Sequence, residues 1–340
     1  MDGTAGYVYV QTNDANANEI VVYRRNAAGR LERCGSYLTG GCGSGEPHLP
    51  SQSSVVAAAG RVFVANAGSD DVTLFAVDGD ELEALDRVSS GGSTPRSVAV
   101  HEQHLYVLNT AGGRDLRGLR LVGDELVPID GGSIAFGEDT DPAQVAFSPD
   151  GRSLLVTDRA ANAIHVVRLD ESGRVLEAAT QPSSGATPYG FDVRADGTVV
   201  VTEAAGAQAG KASASSYRLD GGKLQPLSGA VGNGRSEVCW AVITKNGRTA
   251  FVTNFADGTI SSYAIGDDGR IELRNAVAAS TVDGAPGIRD EALSSDGGFL
   301  YALHADTGNV YAWKVSDDGQ LEPLGSANGL PLTAAGLAAS

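Results

Sequence analysis

Runs of alternating apolar and polar residues, joined in pairs by a turn, recur along this chain. In TAFVTNFADGTISSYAI, residues 249–265, the alternation passes through Phe251 and Thr253, breaks at Asp257-Gly258, and resumes from Ile260 through Tyr263 to Ile265. A side-chain period of two on both sides of turn residues predicts a β-hairpin. Related hairpins start at Tyr7, Arg61, His104, Ser153, Thr198 and Phe299. The motif therefore occurs seven times. The second run of each copy repeats one bulky position, filled in turn by Tyr23, Phe75, Leu119, Val167, Tyr217, Tyr263 and Trp313. These are expected to pack between sheets.

Each hairpin is followed by a turn and a further strand, as in ESGRVLE and DDGRIE. Before six of the seven stands a strand of small residues closed by a turn, as in QVAFSPDG and CWAVITKNG. Four antiparallel strands per unit, repeated seven times about fifty residues apart, specify an all-β, seven-bladed β-propeller. The first unit lacks its innermost strand. The segment LPLTAAGLAAS at the other end of the sequence is expected to supply it beside Tyr7–Val10 and so remove the open edges of a linear array.

Composition agrees with many short strands, with 45 Gly and 12 Pro in 340 residues. That length fits two average domains or one large all-β domain. Every segment between units is a short turn such as SSGGSTP or PSSGATP, which predicts one domain over residues 1–340. No apolar run reaches the roughly 18 residues of a membrane helix. Strand pattern begins at Tyr7, which leaves no room for a leader peptide in the sequence as given, so the expectation is a cytoplasmic protein or an exported one with its leader removed. A net charge of −17 without a Lys/Arg cluster argues against nucleic acid and anionic membranes as partners. Cys34 and Cys42 lie close enough in sequence to form a disulfide, and two free thiols explain them equally well. Nothing calls for a metal or an organic cofactor, and a closed ring with little free edge is expected to be a monomer.

Strand direction places the entries of the innermost strands and the exits of the second strands on one face, at the mouth of the central channel. The entry set is Gln52, Arg96, Gln144, Tyr189, Glu237, Trp240, Arg289 and Asp290; the exit set is Asn13, Asn66, Asn109, Asp158, Glu203, Asn254 and His304. Asn66, Asn109 and Asn254 have the character of turn-capping residues. Glu203, Arg96, Arg289 and His304 are harder to assign to turns. Polar groups gathered at a channel mouth suit a small, anionic ligand, with Glu203 as a base and Arg96 and Arg289 as cationic donors to an oxyanion or to a substrate carboxylate or phosphate. Gln52, Asn109, Gln144, Tyr189, Trp240, Asn254, Asp290 and His304 complete the expected binding set, and His48 is a loop residue within reach of the same face. The stretch GAQAGKAS from Gly206 lacks the spacing and hydroxyl of a phosphate loop and is expected to be a small-residue loop within its blade.

The FVTN strand, the FSPDG turn at 147–151 and the GATPYGFDV entry resemble the lactonase-type seven-bladed propellers, the family of bacterial 6-phosphogluconolactonase and fungal carboxymuconate cycloisomerase. The resemblance extends over the whole chain and implies lactone chemistry, with Glu203 and Arg96 at repeat positions where active members carry Glu and Arg. At inner-strand entries where many relatives carry a histidine, this chain reads Pro95-Arg96-Ser97 and Pro142-Ala143-Gln144. The expected function is therefore lactonase-like hydrolysis of a small anionic lactone or sugar acid. The alternatives are a non-catalytic binding propeller and a lyase, isomerase or cyclase that uses the same face.

Overall fold

The computed structural model describes residues 4–47, 49–50, 52–282 and 284–340. Its strands form seven four-stranded antiparallel sheets, each a blade. Consecutive alternating runs joined by short turns pair with their immediate neighbours, so each blade runs from an inner strand outward. The inner strands of blades 2 to 7 are Val55–Ala58, Ser93–His101, Pro142–Phe147, Pro188–Val193, Val238–Ile243 and Ile288–Leu293. Blade 1 takes its inner strand from far along the chain: Ala335–Ala339 pairs with Thr4–Gln11, Val8 opposite Ala339 and Val10 opposite Leu337. Closure thus occurs at the blade anticipated from the sequence. Arg25 reinforces it, donating to the Ala5 carbonyl at 2.6 Å and pairing with Asp296 of blade 7 at 3.1 Å.

The seven repeated bulky residues are all buried, and each belongs to a different apolar layer between neighbouring blades. A buried side chain of this size contributes about 1.5–3 kcal/mol to its layer. Cys34, Cys42 and Cys239 are free thiols; of the two readings of Cys34 and Cys42, the structure takes the unbonded one.

The inner strands touch one another in a ring, and each turns an unpaired backbone edge toward the axis. Side chains from the preceding blade satisfy several of these edges. Ser97 Oγ accepts from the Val145 amide at 3.1 Å. Gln144 grips Phe191 by both groups, accepting from its N–H at 2.7 Å and donating to its carbonyl at 2.9 Å. Asp290 accepts from the Leu337 amide at 3.0 Å. In blade 5 the equivalent residue is Gly190, which has no side chain to offer. Gln52 reaches across from blade 2 instead, donating to the Ala241 carbonyl at 2.9 Å and accepting from its amide at 3.3 Å. A Cβ on Gly190 would stand 2.7 Å from the Gln52 Oε1, so the missing side chain is what makes room for the strut. The threonines of the VTD and VTE motifs serve the same ring: Thr157 and Thr202 donate to the carbonyls of Tyr189 and Cys239 in the next blade.

Three carboxyls stand among these inner strands. Burial pushes Asp192 up to about 6 and Asp290 up to about 8. Glu291, with both oxygens buried and unpartnered, is raised well above the carboxylate range by burial and by the two aspartates.

Two predictions follow from the axis. Gly190→Ala is expected to cost about 1–3 kcal/mol through overpacking, and Gln52→Leu a similar amount by leaving the buried Ala241 amide unpaired; urea denaturation measures both. Glu291 keeps its proton when folded at pH values where the unfolded chain has released it, so it lowers stability progressively as pH rises from about 4 toward 8. Glu291→Gln should leave the melting temperature nearly unchanged near pH 4 and raise it by a few degrees at pH 8. An equal gain at both pH values would assign the effect to packing instead.

Candidate active site at the channel mouth

A register break repeated at the entry of the inner strands builds the mouth. Pro95, Pro142, Pro188, Val238 and Ile288 pair with Asn109, Asp158, Glu203, Asn254 and His304, the last residues of the second strands or, for Asn109, near the end. Just beyond each pair the inner strand carries one extra residue relative to its partner. Bulges at a sheet rim re-aim side chains, and the segments released here carry Arg96, Tyr189, Cys239, Trp240 and Arg289. The turn into the strand is strained: Thr94, Thr187 and Glu237, each one residue before the pair, hold φ at 55°, 59° and 52°. For a β-branched threonine this is a true outlier, of the kind that accumulates at functional sites.

Arg159, which sequence reasoning missed, ties these residues together. It pairs with Asp141 at 2.7 Å, donates to the Tyr189 hydroxyl at 3.1 Å and lies 4.9 Å from the centre of the Tyr189 ring. Tyr189 in turn packs against Trp240, with ring centres 4.7 Å apart. Burial raises the Tyr189 hydroxyl and pushes the Cys239 thiol up to about 12, so both are protonated at neutral pH. Arg96 lies beside this group. Burial lowers its pKa, Glu46 opposes that, and the like charge of Arg159 lowers it further. Among the described residues Arg96 makes no ion pair, and its buried Nε has no partner. Arg289, lowered by burial, pairs with Asp306 at 2.8 Å and leaves Nε and Nη1 unpartnered. Between blades 4, 5 and 6 the mouth opens into a pocket of about 510 Å³ whose lining includes Asp141, Arg159, Tyr189, Glu237, Cys239 and Phe255.

The other expected residues lie elsewhere. Glu203 is buried inside blade 5, its carboxylate accepting from the Gly185 amide at 2.9 Å, from Ser213 Oγ at 2.7 Å and from the Ser215 hydroxyl. Burial raises its pKa and these hydrogen bonds oppose the rise. Asn254 does the equivalent work in blade 6, donating to Ser261 Oγ at 2.9 Å and accepting from Asn233 at 2.9 Å. Asn109 donates to Asp115 at 2.9 Å, Asn66 to Asp71 at 2.6 Å, and Asn13 to Ser44 at 3.0 Å. Asp158 pairs with His165 at 3.1 Å. Gln52, Gln144 and Asp290 form the axial struts. His304 is buried near Arg289 with Nε2 unpartnered, and burial together with that cation lowers its pKa. His48 lies outside the described residues.

Arg159 and Phe255 could have been found one place further along. They directly follow the second strand, where other units carry Ala67, Thr110, Ala204 and Ala305. The informative departure from the repeat stands there, one residue beyond the exit position occupied by Glu203.

The lactonase, 7-bladed beta-propeller family model matches residues 4–114 and 125–206, more than half of the chain and a span that includes Arg96, Asp141, Arg159 and Tyr189. The 6-phosphogluconolactonase of Erwinia tasmaniensis is 28% identical over 195 residues, covering 54% of this chain and 57% of that protein. That of Sodalis glossinidius is 30% identical over 162 residues, covering 45% and 47%. The chain thus spans about half the length of the curated relatives it matches. A solved structure from Lactobacillus plantarum superposes with a TM-score of 0.80 at 16% identity, covering 99% of this chain and 100% of that one. The periplasmic gluconolactonase of Pseudomonas aeruginosa superposes with a TM-score of 0.73 at 19% identity, covering 98% of each. At such identities these two speak for the fold alone. The family match, together with the seven closed blades, places this chain in the lactonase family of seven-bladed β-propellers.

Proposed function

We propose that the chain hydrolyses a small lactone at the channel mouth, with Arg96 as the oxyanion donor and Glu237 as the base. The observation that carries this reading is the Arg96 guanidinium, held at the mouth by a strand bulge and left without an ion-pair partner among the described residues, in a chain of the lactonase family. Relatives bear the name 6-phosphogluconolactonase, which supports lactone hydrolysis as the reaction class.

Hydrolysis needs water activated against the carbonyl carbon and charge stabilised on the carbonyl oxygen. Glu237 lines the pocket on a strained turn and takes the water's proton as the hydroxide adds. Arg96 stabilises the tetrahedral oxyanion, with Arg289 supplying further N–H groups. When the ring C–O bond breaks, the proton held by Glu237 passes to the departing alkoxide, and the product is the open hydroxy acid. Arg159, fixed by Asp141 and Tyr189, positions the wall against which the ring rests. In this reading Glu203, the base anticipated from the repeat pattern, has a structural role, its carboxylate accepting from Gly185 between blades 4 and 5 and from Ser213 and Ser215 within blade 5.

Glu237→Gln is expected to lower kcat by about 10²–10⁴-fold with little change in KM, the usual worth of a general base. Glu203→Gln should instead lower the melting temperature and leave kcat within a few-fold. Steady-state kinetics on a lactone panel, paired with thermal denaturation of both variants, tests the assignment. Full turnover by Glu237→Gln, or loss of kcat in a normally stable Glu203→Gln, would reverse the two roles.

A further inference from the structure

Beside Arg159 and its carboxylates, the mouth pocket carries an apolar surface of its own. Ala160, Ala204, Ala207, Tyr189, Val238 and Phe255 supply the apolar part of its lining. Tyr189, Ala204, Cys239 and Trp240, with Phe255 packed against them, form an apolar cluster separate from the seven layers between blades. Of this cluster, Tyr189, Ala204, Cys239 and Phe255 line the cavity. The loop from Ala204 to Gly210 is the small-residue stretch that carries no phosphate-binding signature. It holds Ala205, Gly206 and Ala207 in succession at φ of 49°, 62° and 61°. A left-handed run containing two alanines is strained, and it presents to the pocket only methyl groups and backbone.

Charge at the mouth is already balanced. Arg159 has Asp141 at 2.7 Å and Arg289 has Asp306 at 2.8 Å. Arg96 feels Glu46, and Glu237 adds a further carboxylate to the lining. A phosphate dianion would meet no net positive charge here. What the arginines retain is directional N–H donors, which suit a single carbonyl oxygen. A polyol in this pocket would find partners only on the side of Asp141, Arg159, Thr187 and Glu237, and its remaining hydroxyls would lie against alanine methyls and aromatic faces, where they are penalised for losing water.

Resting on the lactonase reading, we propose that the pocket takes an alkyl or aromatic substituent, so that the substrate is an apolar-substituted lactone rather than a phosphorylated sugar lactone. The carbonyl lies toward Arg96 and the substituent toward Phe255 and the Ala204–Ala207 loop.

Binding and turnover separate this inference from the reading beneath it. Calorimetric titration of the full chain with cyclohexanones bearing progressively longer 2-alkyl chains reads the pocket without requiring hydrolysis. Affinity should rise about fourfold per methylene until the cavity is filled, the worth of a buried CH₂. Ala207→Asp, which an aspartate accommodates in the left-handed region, should flatten that slope. In parallel, kcat/KM for δ-lactones of increasing alkyl length should rise in the same way and exceed that for 6-phosphoglucono-δ-lactone. Affinity independent of chain length, or a phosphorylated lactone turned over faster than every alkyl lactone, overturns the apolar pocket. Chain-length-dependent binding without turnover of any lactone retains the pocket and rejects hydrolysis.

Discussion

The innermost strand of a propeller blade has one edge with no neighbour, and seven such edges converge on one axis. Their N–H and C=O groups are cut off from bulk water and must be satisfied locally. Here the solution is a relay in which a side chain on one blade bonds the backbone of the next: Ser97 to Val145, Gln144 to Phe191, Asp290 to Leu337. Gly190 has no side chain to offer the Ala241 backbone, and that backbone is reached across the channel by Gln52. The Gln52 strut ties blades 2 and 6 together across the ring.

Above those struts the extra residue in the inner strands of blades 3 to 7 turns what would be ladder positions into a rim of side chains. Two of the three arginines there are neutralised by a carboxylate that also fixes their orientation, and Arg96 is the exception. Its buried Nε has no hydrogen-bond partner among the described residues.

How much of this was legible in the sequence depends on which residues are asked about. Phe251, Tyr263 and their counterparts announced the blades because a period of two, repeated seven times, has few other interpretations. Blade closure was equally plain, since one unit lacked a strand and a spare strand remained. Arg96, Tyr189, Trp240 and Arg289 could be grouped from the sequence because inner-strand entries lie on one face whatever the side chains. Glu203 and Asn254 were placed on that face by the same reasoning, yet their side chains turn into the blade. Strand direction locates a Cα, whereas the choice between mouth and interior is decided by hydroxyls such as Ser213 and Ser215 that lie ten or more residues away in sequence. Gln52 was beyond reach for a related reason: its partner Ala241 lies 189 residues along the chain.

The pairing that completes blade 1 also sets a timetable. Tyr7 bonds Ser340 across a separation of 333 residues, among the longest-range contacts this chain can make, and such contacts are slow to form. At ribosomal rates of about 5–20 residues per second, the Thr4–Gln11 strand waits for some tens of seconds before Ala335–Ala339 exists to cover it. Until Ala335–Ala339 emerges, the nascent chain therefore carries an uncapped β edge. The step most exposed to mispairing with another nascent copy is the last one, when the ring is whole in every blade but its first.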